Sequence, residues 1–210
     1  MADIIQLLPD HVANQIAAGE VVERPSSVVK ELFENAIDAK ASEIVLELAH
    51  GGKEMIRMRD NGQGLVKEDL PMAILAHATS KIASLKDLEA IASMGFRGEA
   101  LASIASISKL KITSKTAASD MAWSVDQTGA LHEASHNQGT TVEVCELFYN
   151  TPARRKFLKS EKTEYQHIDD LIKKFLLSHF DMSFRLIHNK KEIKYAKNAI
   201  IKAPAPISTK

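Results

Sequence analysis

The stretch that most constrains the fold runs from residue 25 to residue 64, where a helical repeat gives way to two alternating strands. Across residues 25–39, Val29, Leu32, Phe33, Ala36 and Ile37 fall on one face at helical spacing. Residues 43–48 and 55–59 then alternate apolar with polar positions, and Gly51-Gly52 suits the turn between them. One-sided helices and one-sided strands bury their apolar sides against each other. The expected fold class is therefore α+β: a two-layer sandwich with helices on one face of a mixed, mostly antiparallel sheet.

The rest of the chain continues the pattern. Helical stretches are expected at residues 10–19, 71–76, 85–92, 99–104 and 161–178. Strands are expected around Leu110 and Ile112, around Trp123 and Val125, and around Val142 and Val144, with turns at Gly129 and Gly139. A final hairpin is expected about Asn189-Lys190, and residues 203–210, rich in Ala and Pro, read as a linker. With 210 residues, 45% of them hydrophobic, the chain has enough apolar material for one large core. Lys and Arg number 27 against 27 Asp and Glu, which argues against a whole surface built for polyanions but not against a local patch. A single cysteine, Cys145, excludes an internal disulfide framework and is expected to be a buried apolar residue. No run is long and apolar enough to span a bilayer, and no leader sequence is visible, so a soluble cytoplasmic setting without membrane contact is expected.

Three short segments carry chemistry. Glu31, Asn35 and Asp38 share the polar face of the 25–39 helix, because steps of four and three residues return to one direction. A carboxylate at Glu31 can orient or deprotonate a water, and the Asn35 oxygen is a hard ligand of the kind Mg²⁺ accepts. Taken alone, the row also fits a solvated helix face. Asp60-Asn61-Gly62-Gln63-Gly64 sets a carboxylate beside glycines at a strand end, where it can accept from an exocyclic amine such as adenine's. Taken alone, it also fits a turn. Gly95-Phe96-Arg97-Gly98-Glu99-Ala100-Leu101 opens a helix with free N–H groups, and with Thr79, Ser80 and Lys81 it could wrap phosphates, although no Walker A pattern is present.

These segments, with Ala78-Thr79-Ser80-Lys81 and Gly139-Thr140-Thr141, occur in the order found in the GHKL ATPases, the superfamily of DNA gyrase B, heat-shock chaperones and sensor histidine kinases. The chain resembles the mismatch-repair branch of that superfamily, through the segment from Gln15 to Pro25 and the segment from Phe148 to Leu158. The resemblance extends to about Tyr195. It implies a GHKL-type ATP-binding domain over residues 1–200, with a lid at about 78–101 and a linker at 201–210.

The resemblance further implies ATP and Mg²⁺ as cofactors, Glu31 as general base, Asn35 as metal ligand, and Asp60 as the acceptor for the adenine amine. Gly64 would shape the adenine pocket, Thr141 would sit beside Asp60, and Asp38 would complete the helix's share of the site. Residues 79–81 and 95–101 would fold over the phosphates. The implied partners are a second copy of the chain, paired in a nucleotide-dependent way, DNA bound weakly and non-specifically, and mismatch-recognition and other repair proteins. The basic run Arg154, Arg155, Lys156, Lys159 and Lys162 is the candidate DNA contact. A second domain supplies a lysine to the γ-phosphate in such proteins, and the chain ends at Lys210, so weak or impaired turnover is expected.

Overall fold

The computed structural model describes residues 18–19, 21–75, 78, 99–179 and 181–196. Its frame is one eight-stranded sheet, in the order β5-β4-β3-β6-β2-β1-β7-β8. The strands are β1 (Glu43–Ala49), β2 (Met55–Asp60), β3 (Lys109–Lys115), β4 (Ala122–Asp126), β5 (Leu131–Ala134), β6 (Gly139–Cys145), β7 (Ser183–His188) and β8 (Lys191–Ala196). All neighbours are antiparallel except β1 and β7, which run parallel. The α+β sandwich expected from the periodicity is the observed architecture.

Among the described residues, helices cover one face of the sheet. They are α1 (Pro25–Asp38), α2 (Asp69–Met72), α3 (Ala100–Ile107), α4 (Pro152–Phe157) and α5 (Glu161–Ser178). Pro25 opens α1, where its missing N–H costs nothing. Ser160 caps α5, its side chain accepting from the Thr163 amide. The covered face carries Ile44, Leu46 and Leu48 of β1, Ile56 and Met58 of β2, Leu110 and Ile112 of β3, and Phe184 and Leu186 of β7, all at most 2% exposed. Phe33 of α1 stacks on Phe175 of α5 at 4.5 Å and lies 5.6 Å from Phe184, joining both helices to the sheet. The opposite face is polar: Arg57 of β2 bridges Glu47 of β1 at 2.7 Å and Glu143 of β6 at 2.6 Å.

Several expectations shift on inspection. The helix expected at 71–76 is a single turn, Asp69–Met72. The one expected at 99–104 extends to Ile107. Strand β5 and helix α4 went unforeseen; their residues are short or charged and carry little periodicity. The Gly51-Gly52 turn is a 3-10 turn, His50–Gly52. A side chain on Gly51 would run into the Glu161 backbone, and one on Gly52 into Pro25 and Ile168. Cys145 is half-buried rather than buried, with burial pushing its thiol pKa up. Most of the helix expected at 10–19, all of that at 85–92, and the linker at 201–210 lie outside the described residues.

Candidate nucleotide-binding site

The site is assembled where the end of α1 meets the end of β2. In β2 the side chains of Ile56 and Met58 point to the helix-covered face, so strand alternation sends Asp60 there too. Its carboxylate Oδ1 accepts from the Gly62 amide at 2.8 Å, and the Thr140 backbone amide donates to it as well. Burial pushes the Asp60 pKa up, against those two hydrogen bonds and the charge of His136, which pull it down; the net direction is upward. The turn that follows is held against α1: the Gln63 amide donates to the Ala39 carbonyl at 3.0 Å. A Cβ on Gly62 would collide with Ala39 and with Asp60 itself. Gly64 has φ +74°, and a Cβ there would enter the backbone of Lys115. Those glycines let three backbones close around Asp60.

From this contact α1 runs back past Asp38 and Asn35 to Glu31. All three are partly exposed, on a face distinct from the buried Val28, Val29, Leu32, Phe33 and Ala36. Eight residues separate Glu31 from Ala39, about 12 Å of helix at 1.5 Å per residue. The polar row thus leads away from the Asp60 turn along the helix. Lys30 Nζ contacts Glu31 at 3.3 Å and Glu34 at 3.0 Å. Burial lowers the Lys30 pKa, but the hydrogen bonds and charges of Glu34 and Glu31 outweigh it and the net shift is upward.

The expected residues do not all meet. Thr141 was expected beside Asp60, yet the β2–β6 register pairs Asp60 with Thr140 and Arg59 with Thr141. Thr141 therefore faces the other side of the sheet, where its hydroxyl meets His136 Nε2 at 2.7 Å. The signal was present in the sequence: Val142 and Val144 alternate inward, which puts Thr140 on their face and Thr141 on the opposite one. Glu99, Ala100 and Leu101 stand at the start of α3, all partly exposed. Thr79, Ser80, Lys81, Gly95, Phe96, Arg97 and Gly98 lie outside the described residues. Sequence reasoning also missed Ser114, His136 and Gln138. Gln138 Nε2 donates to the Gly62 carbonyl at 3.4 Å, tying the loop before β6 to the Asp60 turn.

For a metal, the donor set suits a hard divalent cation that brings most of its own ligands. The described residues contain no group of three or more His, Cys, Asp and Glu able to hold an ion. A side-chain amide oxygen at Asn35, near the end of α1, fits an ion whose other partners are waters and phosphate oxygens.

The basic run splits as well. Arg155, Lys156, Lys159 and Lys162 are exposed, and Phe157 among them is 78% exposed. Arg154 instead tucks its guanidinium against Gly19.

The α+β sandwich thus joins an acidic strand end to the end of α1. The profile of histidine kinase-, DNA gyrase B- and HSP90-like ATPases matches residues 23–165, and the chain belongs to that family. Within it, the similarity is to the ATPase domain of the DNA mismatch repair protein MutL. The MutL of Proteus mirabilis is 56% identical over 200 residues, 93% of this chain and 30% of that protein. The MutL of Aliivibrio salmonicida is 56% identical over 200 residues, covering 93% and 31%. The chain thus spans about a third of the length of these relatives. Among solved structures, the Aquifex aeolicus MutL ATPase domain complexed with ADP superposes with a TM-score of 0.69 at 34% identity, covering 85% of this chain and 65% of that one. The N-terminal domain of a DNA repair protein gives 0.76 at 32% identity, covering 92% and 59%. No helix of the described residues is long and apolar enough to cross a membrane.

Proposed function

We propose that this chain binds ATP with Mg²⁺ and hydrolyses it, as the nucleotide-operated switch of a mismatch-repair protein. The observation that supports the reading is the join of α1 to the Asp60 turn through Ala39 and Gln63, which brings a buried acceptor to the end of the helix that carries Glu31, Asn35 and Asp38. Asp60 accepts the exocyclic amine of adenine, with Gly62 and Gly64 allowing the base to approach the backbone. Glu31 holds the attacking water and takes its proton. Asn35 gives its side-chain oxygen to Mg²⁺, with Asp38 beside it on the same helix face. The metal, when bound, neutralises charge on the phosphates and orients them.

The family likeness supports the rest of the reading. Residues 78–101 act as a lid, with Thr79, Ser80, Lys81 and the run from Gly95 to Leu101 on the phosphates. The ATP-bound form pairs with a second copy, and hydrolysis resets it. Residues 1–200 form the ATP-binding unit and 201–210 lead to a second domain, whose lysine raises turnover. The exposed Arg155, Lys156, Lys159 and Lys162 meet DNA phosphates without reading sequence. Mismatch-recognition and other repair proteins are its partners, in the cytoplasm.

Titration with a non-hydrolysable ATP analogue in Mg²⁺ tests the core of this reading, and saturable binding is the expected result. Absence of binding overturns it. Steady-state phosphate release, compared with a chain extended through the following domain, tests the turnover: the longer chain is expected to be faster.

A further inference from the structure

Ser114 is 1% exposed on the helix-covered face of β3, and its hydroxyl makes three contacts. It accepts from the Leu65 amide at 2.8 Å, donates to the Gly139 carbonyl at 2.9 Å, and lies 2.9 Å from the Thr140 hydroxyl. A hydroxyl has one proton and two lone pairs. The Leu65 amide can only donate and the Gly139 carbonyl can only accept. Ser114 therefore commits its proton to Gly139 and one lone pair to Leu65, which leaves it a lone pair for Thr140. In that contact Thr140 must be the donor. Reversing it would set the Ser114 and Gly139 oxygens lone pair against lone pair at 2.9 Å. The single proton of Thr140 is thus spent inside the protein, and its hydroxyl keeps only lone pairs for the surface it shares with Asp60, its register partner.

We infer that Ser114 is a specificity-determining positioning residue: by consuming the Thr140 proton, it makes the Asp60–Thr140 pair an all-acceptor surface. Such a surface takes an exocyclic amine and rejects a carbonyl at the same ring position. The inference rests on the ATP reading above and deepens it. Ser114 does not touch the nucleotide; it fixes what Thr140 can offer. The arrangement also ties base preference to the fold, because the Leu65 amide and the Gly139 carbonyl that orient Ser114 flank the Gly62–Gly64 turn and the start of β6.

The test compares equilibrium binding of the imidodiphosphate analogues of ATP and ITP, which differ by an amine against a carbonyl at position 6 of the purine and by a bare N1 against an N1–H. The parent is expected to prefer the adenine analogue. Ser114→Ala frees the Thr140 proton, so the preference is expected to narrow by about tenfold, the worth of one good hydrogen bond, with the inosine analogue gaining affinity in absolute terms. Ser114→Cys keeps a weak donor and acceptor and is expected to fall between the two; it decides the matter if Ser114→Ala does not fold. A purely structural role would weaken both analogues alike. Equal loss for both in Ser114→Ala, or in Ser114→Cys where only that variant folds, overturns the inference. A parent that binds neither analogue overturns the ATP reading and this inference with it; a parent preference that survives the variants overturns the inference alone.

Discussion

Asp60 and Thr140 are register partners across β2 and β6, on the side of the sheet that the helices cover, and the Thr140 amide donates to the Asp60 carboxylate. A charged group is thereby held where alternation would ordinarily place an apolar one. The cost of that burial is the upward shift of the Asp60 pKa from its ordinary value of 3.8. Sites that must read a ligand often carry this kind of local cost.

Asp60→Asn tests the cost and the role together. The folded protein holds the Asp60 proton more tightly than the unfolded chain does. Its stability contribution is therefore greatest at low pH and is lost as pH rises through the folded pKa. The stability of the parent relative to Asp60→Asn is accordingly expected to decline as pH rises above the ordinary value of 3.8 in denaturant titrations. A gap that stays constant with pH would remove burial as the dominant influence. The same variant is expected to weaken ATP binding, since an amide cannot present the carboxylate's two acceptor oxygens.

Glu31→Ala separates binding from chemistry. The proposed base acts on water and not on the ground-state nucleotide, so affinity is expected to stay within a few-fold while phosphate release falls by about 10²–10⁴-fold. The Lys30 contact with Glu31 does not upset this comparison. Lys30 is half exposed, and such a pair contributes about 1 kcal/mol at most. Parent-like phosphate release from the variant would take Glu31 out of the mechanism.

How far the sequence reveals this arrangement depends on the length of each element. Residues 25–38 and 161–178 show their helices plainly, because long amphipathic periods survive local noise. The last hairpin is equally legible: Asn189 and Lys190 both adopt positive φ, at 50° and 66°, as a tight two-residue turn requires. Leu131–Ala134 and Pro152–Phe157 are not legible, since four to six residues rich in polar side chains carry no clear period. At the candidate site, Glu31, Asn35 and Asp60 are legible through the ordered set of motifs to which they belong, since each segment alone also fits a solvated face or a turn. Thr140 and Ser114 belong to strands distant in sequence, and only pairing of β6 with both β2 and β3 brings them to Asp60.

Gly64→Ala asks whether the close approach around Asp60 matters beyond backbone conformation. Gly64 has φ +74° and a Cβ there would strike the Lys115 backbone. Gly129 has φ +86° with nothing within 4 Å of its would-be Cβ, and so serves as a matched control. Gly129→Ala is expected to cost about 1 kcal/mol, the strain of a left-handed alanine alone. Gly64→Ala is expected to cost more and to abolish nucleotide binding, as read by urea unfolding and analogue titration. Equal costs for the two would mean that the Lys115 contact yields easily.

Nucleotide binding should also register as stability. A ligand that binds only the folded state adds about 2.7 kcal/mol at a concentration of 100 times its Kd. For a chain of this size, that is about 5–10 °C in Tm. The parent and Glu31→Ala are expected to show the full shift with an ATP analogue and Mg²⁺, because neither loses the adenine acceptor. Asp60→Asn is expected to show little of it at the same concentration, and Gly64→Ala none. Thermal scans with and without nucleotide check all four proteins in one format. A shift that is equal in Asp60→Asn and the parent would place the base elsewhere on the molecule, since a nucleotide anchored at Asp60 cannot be indifferent to the loss of its acceptor.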